Sequence, residues 1–302
     1  MDKFTIFLLL SISLSSCTKQ ISIIFPQQTP KLVVNSIFTN DKVIMVNLSQ
    51  TIEYNSTKKI KITNAECKLF CNDEFIEVLE NHKNGLYTSS IIPETGKNYK
   101  ISISCDGFES VSANSYIPEY PNEFKYNTIP SVIFDPDDGL GVFYTNASIY
   151  IEDITTQNNF YQLKLNLKIK GNSPLSYSEI HRYRSDDPII VSEGIQAYQP
   201  NILLFSDKLI NGQNSTINFQ HAFPETFDDT VLLIIETKSL TQDYFNYLKS
   251  SIIQTNHQSS TNNILAIGEP IEIYTNIKNG YGIFSGVNIH YDTIILNGWN
   301  TF

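Results

Sequence analysis

The 302-residue chain carries 21 Lys and Arg against 31 Asp and Glu, a formal net charge of -10. That balance argues against binders of nucleic acid or anionic headgroups, which need a basic patch. Hydrophobic content of 41% is enough to bury a core, in one large domain or two of ~100–200 residues.

The first element is an almost unbroken apolar run from Phe4 to Leu14, preceded by Lys3. It is too short to span a bilayer, which takes ~20 apolar residues. It fits a secretory signal, whose apolar region is about 7–15 residues long. Leu14-Ser15-Ser16-Cys17 closes it with a large residue, two small ones and a cysteine, the pattern of a bacterial lipoprotein signal. Residues 1–17 are therefore expected to be a signal peptide with its lipobox. Cys17 is expected to receive a diacylglycerol and become the acylated first residue. An ordinary secretory signal with a stray cysteine is the alternative. No other apolar run has the length to span, so attachment would rest on lipid alone, at about 0.8 kcal/mol per buried CH2. Residues 18–30 read as a tether.

From Lys31 the pattern changes to short strands: Lys31–Phe38, Val43–Gln50, Ala65–Cys71, Glu74–Leu79, Gly85–Ser90, Asn98–Cys105 and Glu109–Tyr116. Turn signals such as Asn72-Asp73 and Asp106-Gly107 separate them. Seven short strands over residues 31–118 predict an immunoglobulin-like or transthyretin-like sandwich. Cys67 and Cys71 on one extended strand would lie ~13 Å apart, beyond disulfide reach. Cys105 with Cys67 or with Cys71 is the geometric possibility. A three-cysteine metal site lacks a fourth ligand, and buried free thiols are the simpler reading.

After the proline-bearing exit Ile117–Pro121, residues 122–302 predict a larger β domain, sandwich or barrel, carrying one α-helix near 240–255. Its strands are expected at Phe124–Ile129, Ala147–Glu152, Tyr161–Ile169, Ser215–His221 and Thr230–Thr237. Ser173 to Pro200 reads as a long loop. Its Tyr177, Tyr183 and Tyr198 either stack on a ligand or, the preferred reading, cover the sandwich edge. Ser239-Leu240-Thr241-Gln242 has the form of a capping box. Leu240, Tyr244, Tyr247, Leu248 and Ile252 then share one helical face. Pro270–Ile277 and Ile283–Tyr291 read as strands around Asn279-Gly280, a tight-turn signal needing positive φ at both positions.

Three segments carry a resemblance: Cys17 with Pro30–Asn40 after its tether; Gly85–Thr88 with Gly96–Ile101; and Pro270–Gly286, preceded by the Tyr244–Leu248 helix. Together they resemble the outer-membrane lipoproteins grouped as domain of unknown function 4249. The resemblance implies an outer-membrane lipoprotein, often encoded beside a TonB-dependent transporter, with no established activity or catalytic residues. Thr18–Ser22 lacks the acidic residues of surface-exported lipoproteins, so a periplasmic face is open beside cell-surface display.

Catalytic chemistry is sparse. Asp135-Pro136-Asp137-Asp138-Gly139 is the best ion-binding candidate, with Asp135, Asp137 and Asp138 as hard ligands for Ca²⁺. It lacks a distal Glu, so a solvated turn is favoured. Asp186-Asp187 and Asp228-Asp229 read as loop charges or caps, not a glycosidase pair. His82, His181, His221, His257 and His290 are scattered, with no zinc or nucleophile-elbow motif. Gly280-Tyr281-Gly282 precedes a strand, which argues against a phosphate loop. The expectation is a non-enzymatic accessory or ligand-capture subunit without cofactor, working with a TonB-dependent transporter in nutrient uptake. An envelope structural or adhesion lipoprotein is the alternative, and a glycan hydrolase the remote one.

Overall fold

In a computed structural model, the described residues are 29–53, 56, 58–135, 142–153, 157–169, 177–179, 182–195, 202–223, 226–227, 231–260, 271–296 and 299–300. Residues 31–302 belong to one unit. It begins with β1 (Leu32–Phe38), β2 (Met45–Gln50), β3 (Glu66–Cys71), β4 (Glu74–Val78), β5 (Glu80–Asn81), β6 (Leu86–Thr88), β7 (Asn98–Ser104) and β8 (Val111–Tyr116). Alternation builds these strands: Tyr99, Ile101 and Ile103 of β7 are buried while Lys100 and Ser102 are half-buried. At the β3–β4 turn, Asn72 and Asp73 take φ of 48° and 66°, the left-handed pair that a two-residue hairpin loop needs.

The chain continues with β9 (Glu123–Asp135), β10 (Val142–Glu152), β11 (Phe160–Ile169), β12 (Tyr177–Glu179) and β13 (Tyr183–Arg184). A one-turn helix α1 (Pro188–Val191) leads to β14 (Leu203–Ser206), β15 (Ser215–Phe223), β16 (Thr226–Phe227) and β17 (Val231–Leu240). The long helix α2 (Gln242–Ser260), β18 (Tyr281–Leu296) and β19 (Trp299–Asn300) complete the order. The class is all-β, as the patterning predicts, with α1 as an unexpected second helix.

Two sandwiches arise from three sheets. The largest runs β12-β11-β17-β18-β1-β2-β6-β5, with β14 also on β11. One end faces the sheet β4-β3-β7-β8 across a core that includes Val34, Val46, Leu48, Leu69, Ile101 and Ile103. The other end faces β13-β15-β10-β9 across Ile149, Leu163, Leu165, Ile217, Leu233 and Ile235. The sheets keep open edges, so the second half is a sandwich rather than a barrel. β18 belongs to both. Its first six residues run parallel to β1, and Val287–Leu296 run antiparallel to β17.

Several local expectations are corrected. The stretch Ser173–Pro200 is not simply a loop, since it carries β12, β13 and α1. Ser239 does not cap the long helix: it is the second-last residue of β17, and Thr241 Oγ1 accepts from Tyr244 N at 3.2 Å instead. The strand ladder to β11 and β18 claims Ser239 and Leu240 first. Phe245 and Ile252 are the deeply buried helix residues, joined by half-buried Tyr244 and Leu248.

Residues 271–277 form no strand but a strap along α2. Gln254 Oε1 accepts from Ile271 N at 2.7 Å, and Ser250 Oγ from Tyr274 N at 2.8 Å. Tyr274 OH donates to Asp243. Asn276 explains why no partner strand is needed. Its amide donates to Phe284 O at 2.8 Å and its carbonyl accepts from Phe284 N at 3.0 Å, so one side chain replaces a ladder rung. Asn276→Ala leaves both backbone groups of a fully buried residue unpaired. The expected loss is about 2 kcal/mol of unfolding free energy, read by urea titration.

The Asn279-Gly280 turn also differs from a type I′ hairpin. Asn279 alone has positive φ, 64°. Gly280 is required for space: a Cβ there would sit 2.8 Å from Leu32 O and 2.9 Å from Val111 Cγ1.

Candidate functional site

The site builds from the outer face of the sheet β13-β15-β10-β9. Along β10, Ala147, Ile149 and Ile151 enter the second core, so Asn146 points to the other face by alternation. β15 pairs with β10 so that Asn146 faces Gln220, and β13 adds Arg184 beside Gln220. Gln220 Nε2 donates to Asn146 Oδ1 at 2.9 Å. The Arg184 guanidinium lies 4.0 Å from the centroid of the Tyr144 ring, which it helps to bury.

Beyond Arg184 the edge pairing passes from backbone to side chains. Ser185 Oγ donates to Asn218 O at 2.5 Å, and Asp187 Oδ2 accepts from Asn218 N at 3.0 Å. Asp187 Oδ1 also accepts from Ile189 N at 3.1 Å, capping α1, whose Ile189 and Ile190 are anchored in the core. The rim is thereby fastened to the sandwich from both sides. Between rim and sheet lies a cleft of about 350 Å³ lined by Asn146, Arg184, Ser185, Asp186, Asp187, Asn218, Phe219 and Gln220. Its volume is within the ~300–1,000 Å³ of small-molecule clefts.

Two buried constellations behind the sheet serve the fold. His221 is fully buried, with Nε2 2.7 Å from Tyr126 OH and Nδ1 3.1 Å from Ala222 O. Those partners suit a neutral ring that donates from Nδ1 to the carbonyl and accepts the phenol proton at Nε2. Burial lowers its pKa to about 4 and pushes the Tyr126 phenol upward. Asp153 and Asp207 share Asn159, whose amide donates to Asp153 Oδ1 at 3.2 Å and Asp207 Oδ2 at 3.1 Å. Tyr161 OH and Gly212 N also donate to Asp153, at 2.9 and 2.8 Å. Burial raises the Asp207 carboxyl above the usual range.

Of the residues singled out from sequence, Cys17, Asp137, Asp138, Tyr198, Asp228 and Asp229 lie outside the described residues, as do the side chains of Asp135 and Tyr177. Asp187 is a helix cap, and Asp186 beside it is exposed in the cleft. Tyr183 is buried, its hydroxyl accepting from Leu165 N at 2.8 Å, so it covers the sandwich rather than a ligand. Cys67, Cys71 and Cys105 are free thiols, the first and last buried. Burial pushes the Cys67 thiol up to about 12. Among the described residues no group of three or more His, Cys, Asp or Glu side chains could hold a metal ion. Asn146, Arg184, Asn218 and Gln220 carry no sequence motif; only the strand register brings them together. Ser185-Asp186-Asp187-Pro188, a cap followed by proline, is their one local signal.

Fold and cleft together define a paired β-sandwich protein with a polar sheet-face site. The chain belongs to the family described as domain of unknown function (DUF4249), whose model matches residues 18–292. No curated protein matches it. Among solved structures it is similar to the crystal structure of collagen adhesin (CNA) from S. aureus, at 10% identity and a TM-score of 0.21, over 89% of this chain and 96% of that one.

Proposed function

We propose that this protein is an outer-membrane lipoprotein, anchored through acylated Cys17, which captures a ligand for a TonB-dependent transporter without transforming it. The carrying observation is the prebuilt cleft, whose rim is pinned to the core by Ser185 and Asp187. A rigid, pre-organised polar surface keeps the ordering cost of binding low. The non-enzymatic reading is supported by the buried carboxylates Asp153 and Asp207, which spend their oxygens on Asn159, Tyr161 and Gly212. Among the described residues no helix is long and apolar enough to cross a membrane, a statement that does not bear on β-barrels. The lipobox at Leu14–Cys17 supplies the anchor in this reading.

Two measurements test it. Cys17→Ser is expected to move the mature chain from the membrane pellet to the soluble fraction; unchanged sedimentation refutes the anchor. Affinity purification from detergent-solubilised outer membranes is expected to recover a β-barrel transporter, and recovery of the chain alone refutes that partnership.

One observation favours the second reading, an envelope structural or adhesion protein. β4 is an edge strand, and its Phe75, Ile76 and Val78 are exposed. An apolar edge is a template for pairing with another chain. Loss of cell cohesion in an Ile76→Lys strain with normal nutrient uptake would support that role.

A further inference from the structure

We propose that the cleft between the Ser185–Asp187 rim and the β10–β15 face takes a neutral, polyhydroxylated ligand of the oligosaccharide class. This rests on the ligand-capture reading and adds the chemistry of the ligand.

The first ground is the lining. Asn146, Asn218 and Gln220 are carboxamides, and the Asn218 side chain is exposed. Every one of these groups both donates and accepts hydrogen bonds. A sugar hydroxyl does the same, so a run of hydroxyls matches a run of amides without leaving either side unpaired. A hydrocarbon ligand would strand the exposed Asn218 amide, at a cost of about 1–3 kcal/mol.

The second ground is charge. The cleft holds the Arg184 guanidinium and the exposed Asp186 carboxylate together. An anion gains from one and is repelled by the other, and the reverse holds for a cation. A neutral ligand is repelled by neither, and its hydroxyls donate to the exposed Asp186 carboxylate.

The third ground is rigidity. Asp187 and the Asn218 backbone are committed to the rim, and Gln220 holds Asn146 by an amide–amide bond. The Asn218 and Asp186 side chains are exposed, so they can be truncated without disturbing the core. That makes them the test positions.

The experiment is calorimetric titration of the full mature chain in detergent with neutral tri- to hexasaccharides. Trigalacturonic acid and the glucosamine trimer serve as anionic and cationic comparators. The expected result is saturable binding of at least one neutral probe, about tenfold tighter than either charged trimer. Asn218→Ala and Asp186→Ala are each expected to weaken it about tenfold, with unchanged thermal unfolding. If a charged trimer binds as tightly as any neutral probe, with the same dependence on both variants, the ligand class is overturned and the capture reading stands. If no neutral probe saturates at millimolar concentration, or neither variant weakens binding, the proposal is overturned. The capture reading is then judged separately by recovery of the transporter.

Discussion

Gly282→Ala is expected to cost more than about 4 kcal/mol, the exceptional end for a single substitution. Little folded protein should be recovered. Gly282 sits at φ 104° in the parallel ladder, opposite Val34. An added Cβ would lie 2.0 Å from Val34 O and 2.9 Å from Val34 C. Neither atom can yield, because β1 is held between β18 and β2. Gly107→Ala is the matched control. Its φ is 85° and nothing lies within 4 Å of the added Cβ, so only backbone strain of about 1 kcal/mol remains. Yield and urea midpoint separate the two. Equal losses would show that φ, and not the close approach of β1, sets the requirement.

Stability is expected to fall by about 3 kcal/mol between pH 6.5 and pH 4 on account of His221. Burial lowers the imidazole pKa from 6.5 to about 4. In that window the unfolded chain binds a proton that the folded chain refuses. The neutral ring's contribution is therefore complete above 6.5 and is lost as pH falls toward 4. Charging the ring removes the lone pair with which Nε2 accepts the Tyr126 hydroxyl proton across 2.7 Å, and puts a charge in a fully buried site. Asp207 has the opposite sign. Burial raises its carboxyl, so its contribution is present at low pH and is lost as pH rises through its folded value. His221→Gln is expected to be less stable at neutral pH yet to show a flatter decline from pH 6.5 to 4. A slope identical to that of the parent chain would assign the acid sensitivity elsewhere.

Strand existence was legible in the sequence because period-two burial writes itself into residue type. Tyr99, Ile101 and Ile103 against Lys100 and Ser102 are enough to find β7 and its inner face. The strap at 271–277 was misread for the same reason. Ile271, Ile273 and Thr275 have strand composition, but beside Phe284 the single side chain of Asn276 takes the place of a ladder. A side-chain amide and the long helix meet the strap's polar needs instead. Ser239 misled in a similar way, as a local cap signal overridden by a ladder that begins far off in sequence. The cleft was invisible because its floor joins Asn146 to Gln220 and Arg184 through register alone. Its rim showed only as Asp186-Asp187, which read as loop charges or caps; Asp187 is a cap and Asp186 an exposed charge.

The place of β18 has a temporal consequence. The amino-terminal sandwich has Ile277 and Phe284 in its core, and its first strand lies against Tyr281–Gly286. Such a chain, emerging from a ribosome or a secretion channel in order, cannot close its leading half until Tyr281–Gly286 have arrived. Early domains usually fold while later ones are still being made; here β1 must wait for β18. Contacts this distant in sequence make for slow folding. Until then the apolar faces of the opening strands stay uncovered, and a holdase would be most needed over that interval.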